Sequence, residues 1–511
     1  MTDWTSGYVA DIGYTYGYYT ELNPLRARFA LLNKGLVCPE FKTACELGFG
    51  QGLSTVIHAA TSATHWYGTD FNPSQAAYAQ ELAASAGVNA NLFDEAFADF
   101  AARTDLPEFD YIGLHGIWSW ISDENRKVIV EFIRKKLAVG GVLYISYNTQ
   151  PGWASFAPMR HLMTEHAEVI GAAGRGIINR VDDAIEFAGK LLATNPMFAR
   201  ANPLVVDRIQ KLKAQNRHYL AHEYFNRDWH PMHFATMADW LEPAKVQFAC
   251  SAAFHESIDA LNLTREQQTF LNEIPDPMFK ESVRDFMVNQ QFRRDYWVKG
   301  VRKLSSLEQA ELLHKERVVL TTMREDVPMK VTGSLGEADM SPIVYTPLLD
   351  MLADYKIKTI GQVEAALKDQ GIQLAQLLNA LQILIGNGSV QLVQEDAVIH
   401  KAKKTTEKLN SYLKNKARGS AEANYLASPV LGGGFSLNRF QQLFMLAIES
   451  GMKQPDAWAD YACQLLTALG QKIIKEGKTL ETPAENLAEM QAQAKLFAEK
   501  GLPLVKSLQL L

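Results

Sequence analysis

The chain has 511 residues, which is too many for one hydrophobic core and indicates roughly three or four domains. Hydrophobic residues make up 47% of the chain and charged residues 21%, a balance that excludes a largely disordered or fibrous protein. The formal net charge of -6 argues against a protein whose main task is to neutralise the phosphates of a nucleic acid.

The sequence also carries no sign of export or of a membrane anchor. No apolar run approaches the roughly 18 residues that a bilayer requires, and the first 20 residues lack the basic start and apolar core of a signal peptide. Cys38, Cys45, Cys250 and Cys463 show neither CxxC spacing nor clustering, as reduced thiols do. We therefore expect a cytoplasmic protein without disulfides or a cysteine-based zinc site.

The first third of the chain predicts an α/β domain. Apolar runs alternate with helical spacing from residue 41 to residue 147, the pattern of βα units on a parallel sheet. We predict strands at residues 43–47, 65–69, 90–93, 111–114 and 142–147. Helical spacing marks residues 54–60 and 124–137. This pattern is typical of a Rossmann-like fold.

The remaining two thirds predict accessory structure that is mostly helical. Residues 159–320 have helical spacing with one strand at 245–250, and residues 330–342 have the composition of a linker. Three helices at 348–355, 360–369 and 374–386 precede a short hairpin, 389–393 with 397–400, and this order predicts a winged-helix module. The predicted units are 1–158, 159–328, 344–400 and 401–511.

A glycine-rich segment between the first predicted strand and the following helix is the main local signal for a ligand. It reads Glu46-Leu47-Gly48-Phe49-Gly50-Gln51-Gly52. Glycines allow a tight turn and a close approach to a ligand, and the helix start behind them offers free N–H groups. We take Glu46, Gly48, Gly50 and Gly52 as cofactor-binding candidates, although a GxGxG pattern alone occurs in several nucleotide-binding folds.

Acidic residues after the next two predicted strands make the signal more specific. Asp70, followed by Phe71, ends the second strand about 20 residues after the glycines, where a carboxylate can accept both ribose hydroxyls. Asp94 follows the third strand and can accept from an adenine amino group or cap the next helix. NAD is the alternative ligand for such a site, but the Glu46 carboxylate would repel the pyrophosphate of NAD. The same carboxylate suits S-adenosylmethionine (SAM), which is positively charged.

Aromatic residues at the same edge of the predicted sheet are candidates for the chemistry of methyl transfer. They are His115, Trp118 and Trp120 after the fourth strand, and Tyr147, Asn148 and Trp153 after the fifth. We predict Trp118 and Tyr147 as catalytic and His115 as a cofactor contact, with a place in the core as the alternative for each aromatic side chain. We also predict Tyr14 as catalytic and Tyr19 as a cofactor contact, in a tyrosine-rich run that can cover the cofactor or pack on a dimer partner.

Four segments together resemble one protein family. They are residues 16–24, the glycine loop, residues 115–120 and residues 146–153, read as YGYYTELNP, ELGFGQG, HGIWSW and SYNTQPGW. With the block around His222-Glu223-Tyr224, the chain resembles the class I methyltransferases that carry a methyltransferase regulatory domain. The resemblance to rickettsial protein lysine methyltransferases implies SAM as cofactor, lysine of a polypeptide as acceptor, and homodimers.

A histidine-rich cluster and a basic stretch each have an alternative functional interpretation, as a metal site and as a nucleic-acid contact. His218, His222, Glu223, His230 and His233 lie within 16 residues, but methyl transfer needs no metal and the order does not match HExxH, so we expect no metal site. We expect the side chains of this cluster either to contact the substrate or to form buried hydrogen bonds. The basic stretch 401–418 can bind nucleic acid or form a solvated helical face.

The sequence therefore predicts a SAM-dependent methyltransferase, with a protein lysine as the expected acceptor. A small-molecule methyltransferase is the alternative enzyme. A SAM-responsive winged-helix regulator is the alternative from another class, but the predicted third helix of that module, 374–386, has no lysine or arginine to contact DNA.

Overall fold

The predicted α/β block forms a sheet with helices in the computed structural model, which describes residues 16–88, 90–171 and 173–511. Its first strands are β1 (Thr43–Leu47), β2 (His65–Thr69), β3 (Ala90–Phe93), β4 (Phe109–Leu114) and β5 (Leu137–Asn148). Its helices are α1 (Pro24–Asn33), α2 (Leu53–Thr61), α3 (Pro73–Ala86), α4 (Phe97–Ala102) and α5 (Asp123–Lys136). The predicted bounds of β1, β2 and β3 are confirmed, and β4 and β5 begin earlier than predicted.

The next segment, predicted as helical, contributes helices and two further strands. The helices are α6 (Ala157–Val169), α7 (Gly176–Ala193), α8 (Met197–Ala201), α9 (Leu204–Lys213), α10 (Arg217–Tyr224), α11 (Phe234–Leu241), α12 (Asp259–Asn262), α13 (Arg265–Glu273) and α14 (Pro277–Val288). The strands are β6 (Val246–Ser251), which the sequence predicted, and β7 (Phe292–Lys299), which it did not.

All seven strands form one sheet in the order β3-β2-β1-β4-β5-β7-β6. β7 runs antiparallel to β5 and to β6, whereas the first five strands pair in parallel. The boundary predicted at residue 158 therefore falls inside the sheet, because β6 and β7 come from the unit predicted at 159–328. The Rossmann-like fold class is confirmed, and part of the helical segment belongs to the same sheet.

Alternate residues of the strands pack into two different cores, as the period of a β-strand requires. Ala44 and Tyr111 belong to the core that includes α1, whereas Cys45 and Ile112 belong to the core that includes α5. The Ser122 side chain caps α5 by accepting from Asn125 N at 3.3 Å. The sheet is thus buried on both faces, and its carboxyl edge is left for loops.

The region after β7 differs from the predicted linker and hairpin. Its elements are α15 (Ser306–Lys315), β8 (Arg317–Leu320), β9 (Lys330–Gly333), β10 (Gly336–Asp339), α16 (Pro342–Leu352), β11 (Lys358–Thr359), α17 (Ile360–Leu367), α18 (Leu374–Gly386) and β12 (Val390–Val393). The linker prediction for 330–342 is wrong, because β9 and β10 pair as an antiparallel hairpin there.

The three predicted helices are present, but the expected return strand at 397–400 is wrong. Those residues begin a long helix, α19 (Asp396–Ala417). β8, from before the three helices, pairs with both β11 and β12 and completes a three-stranded sheet. A strand from upstream thus takes the place of the predicted hairpin partner, and the winged-helix interpretation stays a prediction.

The end of the chain packs against the first domain. Besides α19 it contains β13 (Tyr425–Ser428), β14 (Gly433–Ser436), α20 (Arg439–Glu449), α21 (Pro455–Ala468), β15 (Ile474–Lys475), β16 (Lys478–Thr479), α22 (Pro483–Leu496) and α23 (Leu502–Ser507). Leu409 and Leu413 of α19 share one core with Val56 of α2 and Leu82 of α3. This packing joins the two ends of the chain in one structure.

The basic stretch 401–418 lies almost entirely in α19. Lys401, Lys403 and Lys404 are exposed, whereas Lys414 is buried and donates to the carboxylate of Glu449. One face of the helix is thus packed and the other carries exposed lysines, as a solvated helical face does. Among the described residues, no helix combines the length and the apolar composition needed to cross a membrane.

Candidate functional site

The glycine loop joins β1 to α2 at the carboxyl edge of the sheet. Gly48, Gly50 and Gly52 have φ angles of 72°, 57° and 69°, a region that residues with a side chain rarely adopt. A Cβ at Gly48 would lie 2.5 Å from Ile117 Cδ1, and one at Gly52 would lie 2.4 Å from Ala79 Cβ. The loop therefore needs glycine both for its turns and for its close contacts.

Asp70 follows β2 and is held beside this loop. Its Oδ2 accepts a hydrogen bond from Gly50 N at 2.8 Å, and its Oδ1 accepts one from Asn72 N at 3.0 Å. Burial raises the pKa of Asp70 to about 6, although the two backbone hydrogen bonds lower it. Each carboxylate oxygen can accept a further donor, so Asp70 is oriented to bind two hydroxyl groups of a ligand.

Glu46, near the end of β1, is buried beneath the loop. Only 2% of it is exposed, and its carboxyl group accepts a hydrogen bond from the Thr55 hydroxyl. Burial raises its pKa to about 8, the Thr55 hydrogen bond lowers it, and the nearby Asp70 raises it. Glu46 is therefore largely protonated at neutral pH, and a positive charge beside it would favour its ionised form.

These groups line a cavity of about 430 Å³ at the carboxyl edge of the sheet. The cavity has three walls. The first comes from the glycine loop and the ends of β2 and β3, the second from the segment after β4, and the third from α10 with the residues that follow it. Such a crevice beyond the ends of parallel strands is where open α/β sheets bind their ligands. The volume suits a ligand the size of a nucleoside with a side chain.

The charges around this cavity are strongly unequal. Among its described lining residues the carboxylates are Glu46, Asp70, Glu95, Glu124, Glu223 and Asp228, and the guanidinium is that of Arg227. Even with Glu46 largely protonated, six acidic groups against one guanidinium leave an excess of negative charge, which attracts a cationic ligand and repels a pyrophosphate. The charge balance therefore fits the sulfonium and amine of SAM, and it does not fit NAD.

Tyr19 and His115 form one corner of the cavity. Their rings are stacked with centroids 3.7 Å apart and an interplanar angle of 20°. Tyr19 N donates to Ser54 Oγ at 2.9 Å, and His115 Nδ1 lies 2.8 Å from the Tyr144 hydroxyl. Burial lowers the pKa of His115 to about 4, although the negative charge of the nearby Glu21 raises it. His115 is thus neutral at pH 7 and adds no charge that would repel a sulfonium.

The α10 wall contains two members of the predicted histidine cluster. His222, 3% exposed, and Glu223 line the cavity, whereas His218, His230 and His233 do not. Across the three described ranges, no group of three His, Cys, Asp or Glu side chains could hold a metal ion. The packed side of α10, with Leu220 and Ala221 fully buried, fixes the helix against α7.

Most of the predicted cofactor-binding residues meet in this cavity. Those that line it are Tyr19, Glu46, Gly48, Gly50, Asp70, Phe71 and His115. Gly52 and Asp94 are not lining residues, since Gly52 packs on α3 and the chain after β3 presents Glu95 and Ala96 instead. Tyr14 lies outside the described residues. The structure thus brings together groups that are up to about 100 positions apart in the sequence.

Two predicted catalytic residues lie in the core, outside the cavity lining. Trp118 is fully buried, its Nε1 is 3.3 Å from Met232 Sδ, and its ring packs edge-on against Trp240. Tyr147 is 1% exposed and donates its hydroxyl to Asp295 Oδ2 at 2.9 Å. Trp120 rather than Trp118 reaches the cavity, because the short helical turn between them directs the two rings apart.

Replacing Trp118 with phenylalanine is expected to lower the free energy of unfolding by about 1–2 kcal/mol, since the smaller ring fills less of the core. Affinity for SAM should stay within about twofold of wild type, because the side chain does not line the cavity. Urea unfolding and calorimetric titration measure the two quantities. An affinity loss of about tenfold without a stability loss would contradict this placement.

Sequence reasoning missed much of the third wall. Asn226, Arg227 and Asp228 line the cavity, yet they follow α10 at a distance of more than 100 residues from the glycine loop. No spacing rule connects them to that loop. The sequence feature that points to this wall is the dense run of polar and aromatic residues around His222 and Glu223. For that run the sequence predicts substrate contact or buried hydrogen bonding.

Comparison with known proteins gives three related findings. A family model described as "Predicted methyltransferase regulatory domain" matches residues 216–299, a range that contains α10, β6 and β7. The chain is 40% identical over 510 residues to the uncharacterized protein sll1526 of Synechocystis, covering 99% of each chain. It is 24% identical over 288 residues to the uncharacterized protein RP789 of Rickettsia prowazekii, covering 54% of this chain and 49% of the relative.

Among solved structures, the chain is similar to PKMT2 from Rickettsia typhi in complex with AdoHcy. The two share 18% sequence identity with a TM-score of 0.69, over 95% of this chain and 98% of the rickettsial chain. At this identity the match describes the fold, and it extends over the sheet, the helical insertion and the C-terminal helices alike.

Proposed function

We propose that this SAM-dependent methyltransferase, which carries a methyltransferase regulatory domain and belongs to one family with its Synechocystis relative, methylates a lysine of a bacterial protein. The observation that carries the proposal is the excess of carboxylates in the cavity, six against one guanidinium. An acceptor that approaches as an ammonium ion is attracted by such a cavity, whereas a carboxylate or phosphate acceptor is repelled.

The residues of the first two walls suit the cofactor. SAM supplies a methyl group that is activated by the positive charge of its sulfonium. Asp70 has two oriented oxygens for the ribose hydroxyls, Glu46 offers a carboxylate to the cationic end, and neutral His115 adds no repulsion. The AdoHcy bound to the Rickettsia typhi protein supports the same assignment.

A polypeptide acceptor is supported by the size and position of the accessory structure. The third wall of the cavity belongs to a segment inserted between β5 and β6, and this segment brings a helical core of its own around α6, α7, α9 and α10. A small acceptor needs no wall of this size. The family resemblance implies a homodimer.

The function is tested by transferring radiolabelled methyl from SAM into a lysate of the source organism, followed by separation into protein, nucleic acid and small molecules. We expect label in a protein band, released as methyl-lysine by amino-acid analysis. A parallel reaction with the Asp70→Ala protein serves as the control for label that does not depend on the site. Label confined to small molecules would overturn the protein acceptor, and label in nucleic acid would overturn the amine acceptor.

A further inference from the structure

Glu223 is a carboxylic acid on the part of the cavity wall that α10 forms, an element separate from those that carry the cofactor-binding residues. It lies on α10, within the segment matched by the regulatory-domain model, and it lines the same cavity as Glu46, Asp70 and His115. Tyr219, one turn earlier on α10, lies within electrostatic range of both Glu223 and Tyr19, and Tyr19 stacks on His115. Glu223 therefore lines the same cavity as the stacked pair of Tyr19 and His115.

We propose that Glu223 takes the proton from the acceptor's ammonium group, so that the regulatory-domain segment supplies a catalytic residue. The inference rests on the proposed function, because only an amine acceptor requires this step. A lysine side chain has an ordinary pKa of about 10.4 and arrives protonated, with no lone pair for attack on a methyl group. Its proton must leave first.

The step is a simple proton transfer between two groups. The N–H bond of the ammonium breaks, its electron pair stays on nitrogen, and the proton forms an O–H bond with the Glu223 carboxylate. The amine becomes neutral and gains a lone pair, and the carboxylate becomes a neutral carboxylic acid. Two opposite charges disappear together, which is favoured in a cavity with little water.

The other carboxylates of the cavity each have hydrogen-bond or ion-pair contacts of their own, or are exposed to solvent. Glu46 accepts from Thr55, and Asp70 accepts from Gly50 N and Asn72 N. Glu95 Oε1 accepts from Arg103 at 2.7 Å, and the buried Oε2 of Glu95 has no hydrogen-bond partner among the described residues. Asp228 lies 3.7 Å from Arg227 and 3.5 Å from His230.

Glu124 is exposed at the start of α5, where hydrogen bonds from its own backbone and from Ser122 lower its pKa. Burial raises the pKa of Glu223 to about 7, with no ion pair or hydrogen bond contributing within the described part of the chain. Glu223 is thus a lining carboxylate that is shielded from water and has no ion-pair partner in the described part of the chain. A base with this pKa is well matched to accept a proton near neutral pH.

The charged and titratable groups that face Glu223 come from every neighbouring element. From the cavity they are Tyr19, Glu46, Asp70, Glu95, His115, Glu124, His222, Arg227 and Asp228. On α10 itself the neighbouring titratable group is Tyr219. Behind α10 lies α7, whose Asp182 forms an ion pair with Arg217 of α10. Since burial is the cause of the raised pKa, the acid limb of the rate profile should report Glu223 itself.

The test compares Glu223→Gln with wild type, using as acceptor the protein that becomes labelled in the lysate. Glutamine keeps the shape of the side chain but cannot take the proton, so we expect kcat at pH 7 to fall about 100-fold. At pH 10 roughly a quarter of the acceptor amine is neutral in solution, against less than about one thousandth at pH 7, so the loss should shrink to about fivefold or less. Glu186→Gln, at an exposed glutamate of α7 paired with Lys190, is the matched control and should behave as wild type.

A second readout does not depend on activity. In protein labelled with ¹³C at glutamate carboxyl groups, we expect one resonance that titrates near pH 7 and is missing from Glu223→Gln. Both variants should bind AdoHcy with an affinity within about twofold of wild type, which shows that the cofactor half is intact.

The two proposals fail in different ways. If wild type labels no lysine, the proposed function is overturned together with this step. If wild type methylates lysine and Glu223→Gln keeps the wild-type pH profile, or loses the same factor at pH 7 and pH 10, the role of Glu223 alone is overturned.

Discussion

Replacing Asp70 with alanine is expected to weaken the binding of SAM about 10- to 150-fold. The change removes a charged acceptor for the ribose hydroxyls, and hydrogen bonds to charged groups contribute about 1.5–3 kcal/mol. It also removes the acceptor for Gly50 N and Asn72 N, so the glycine loop loses part of its support. Calorimetric titration of SAM or AdoHcy into the purified protein measures the effect.

Two variants separate the contributions at this position. Asp70→Asn keeps an oxygen for one backbone donor but removes the charge, and it should bind SAM with an affinity between those of wild type and alanine. Asp350→Ala removes a 60% exposed aspartate that pairs with Arg324 far from the cavity, and it should bind as wild type does. An alanine variant at position 70 that binds SAM normally would remove Asp70 from the cofactor site.

The affinity for SAM is expected to rise about 16-fold between pH 6.5 and pH 8 and then to level off. In the free protein the pKa of Glu46 is raised to about 8 by burial, so the group is mostly protonated below that pH. A cationic ligand favours the ionised carboxylate and lowers this pKa, so that binding releases a proton. Binding that releases one proton strengthens up to about tenfold for each pH unit until the pKa of the free form is reached.

Calorimetry in two buffers with different ionisation enthalpies gives both the affinity and the number of protons released. Glu46→Gln is neutral at every pH, so it should lose the dependence between pH 6.5 and pH 8. The pKa of Asp70, raised to about 6, leaves a weaker dependence below pH 6.5 in both proteins. A wild-type affinity that stays flat from pH 6.5 to pH 8 would show that Glu46 keeps its proton when SAM binds.

The cofactor half of the site could be read from short segments of the chain. Glu46, the glycines and Asp70 lie at the ends of two adjacent strands, and parallel strands place their carboxyl ends at one edge of the sheet. A local pattern of strand, glycine loop and helix is enough to specify this arrangement. Trp118 and Tyr147, which we predicted as catalytic, lie outside the cavity lining, because an aromatic side chain near a strand end can point to either side of it.

The third wall could not be read in this way. Glu223 lies more than 170 positions after Glu46, and only the packing of α10 against α7 and its neighbours directs it to the cavity. The unexpected strand β7 is a similar case. Its sequence includes Arg293 and Asp295, charges that argue against a central strand until Asp285 and Glu281 supply ion pairs for Arg293.

The sequence by itself determined the βα repeat, the glycine loop and the acidic residues beside it, because these depend on propensity and on contacts between neighbouring strands. Only the tertiary structure decided that β6 and β7 complete the sheet, that β8 replaces the predicted strand at 397–400, and that α10 closes the cavity. The physical reason is that these features depend on pairing and burial between distant segments, whose free energy exists only in the assembled fold.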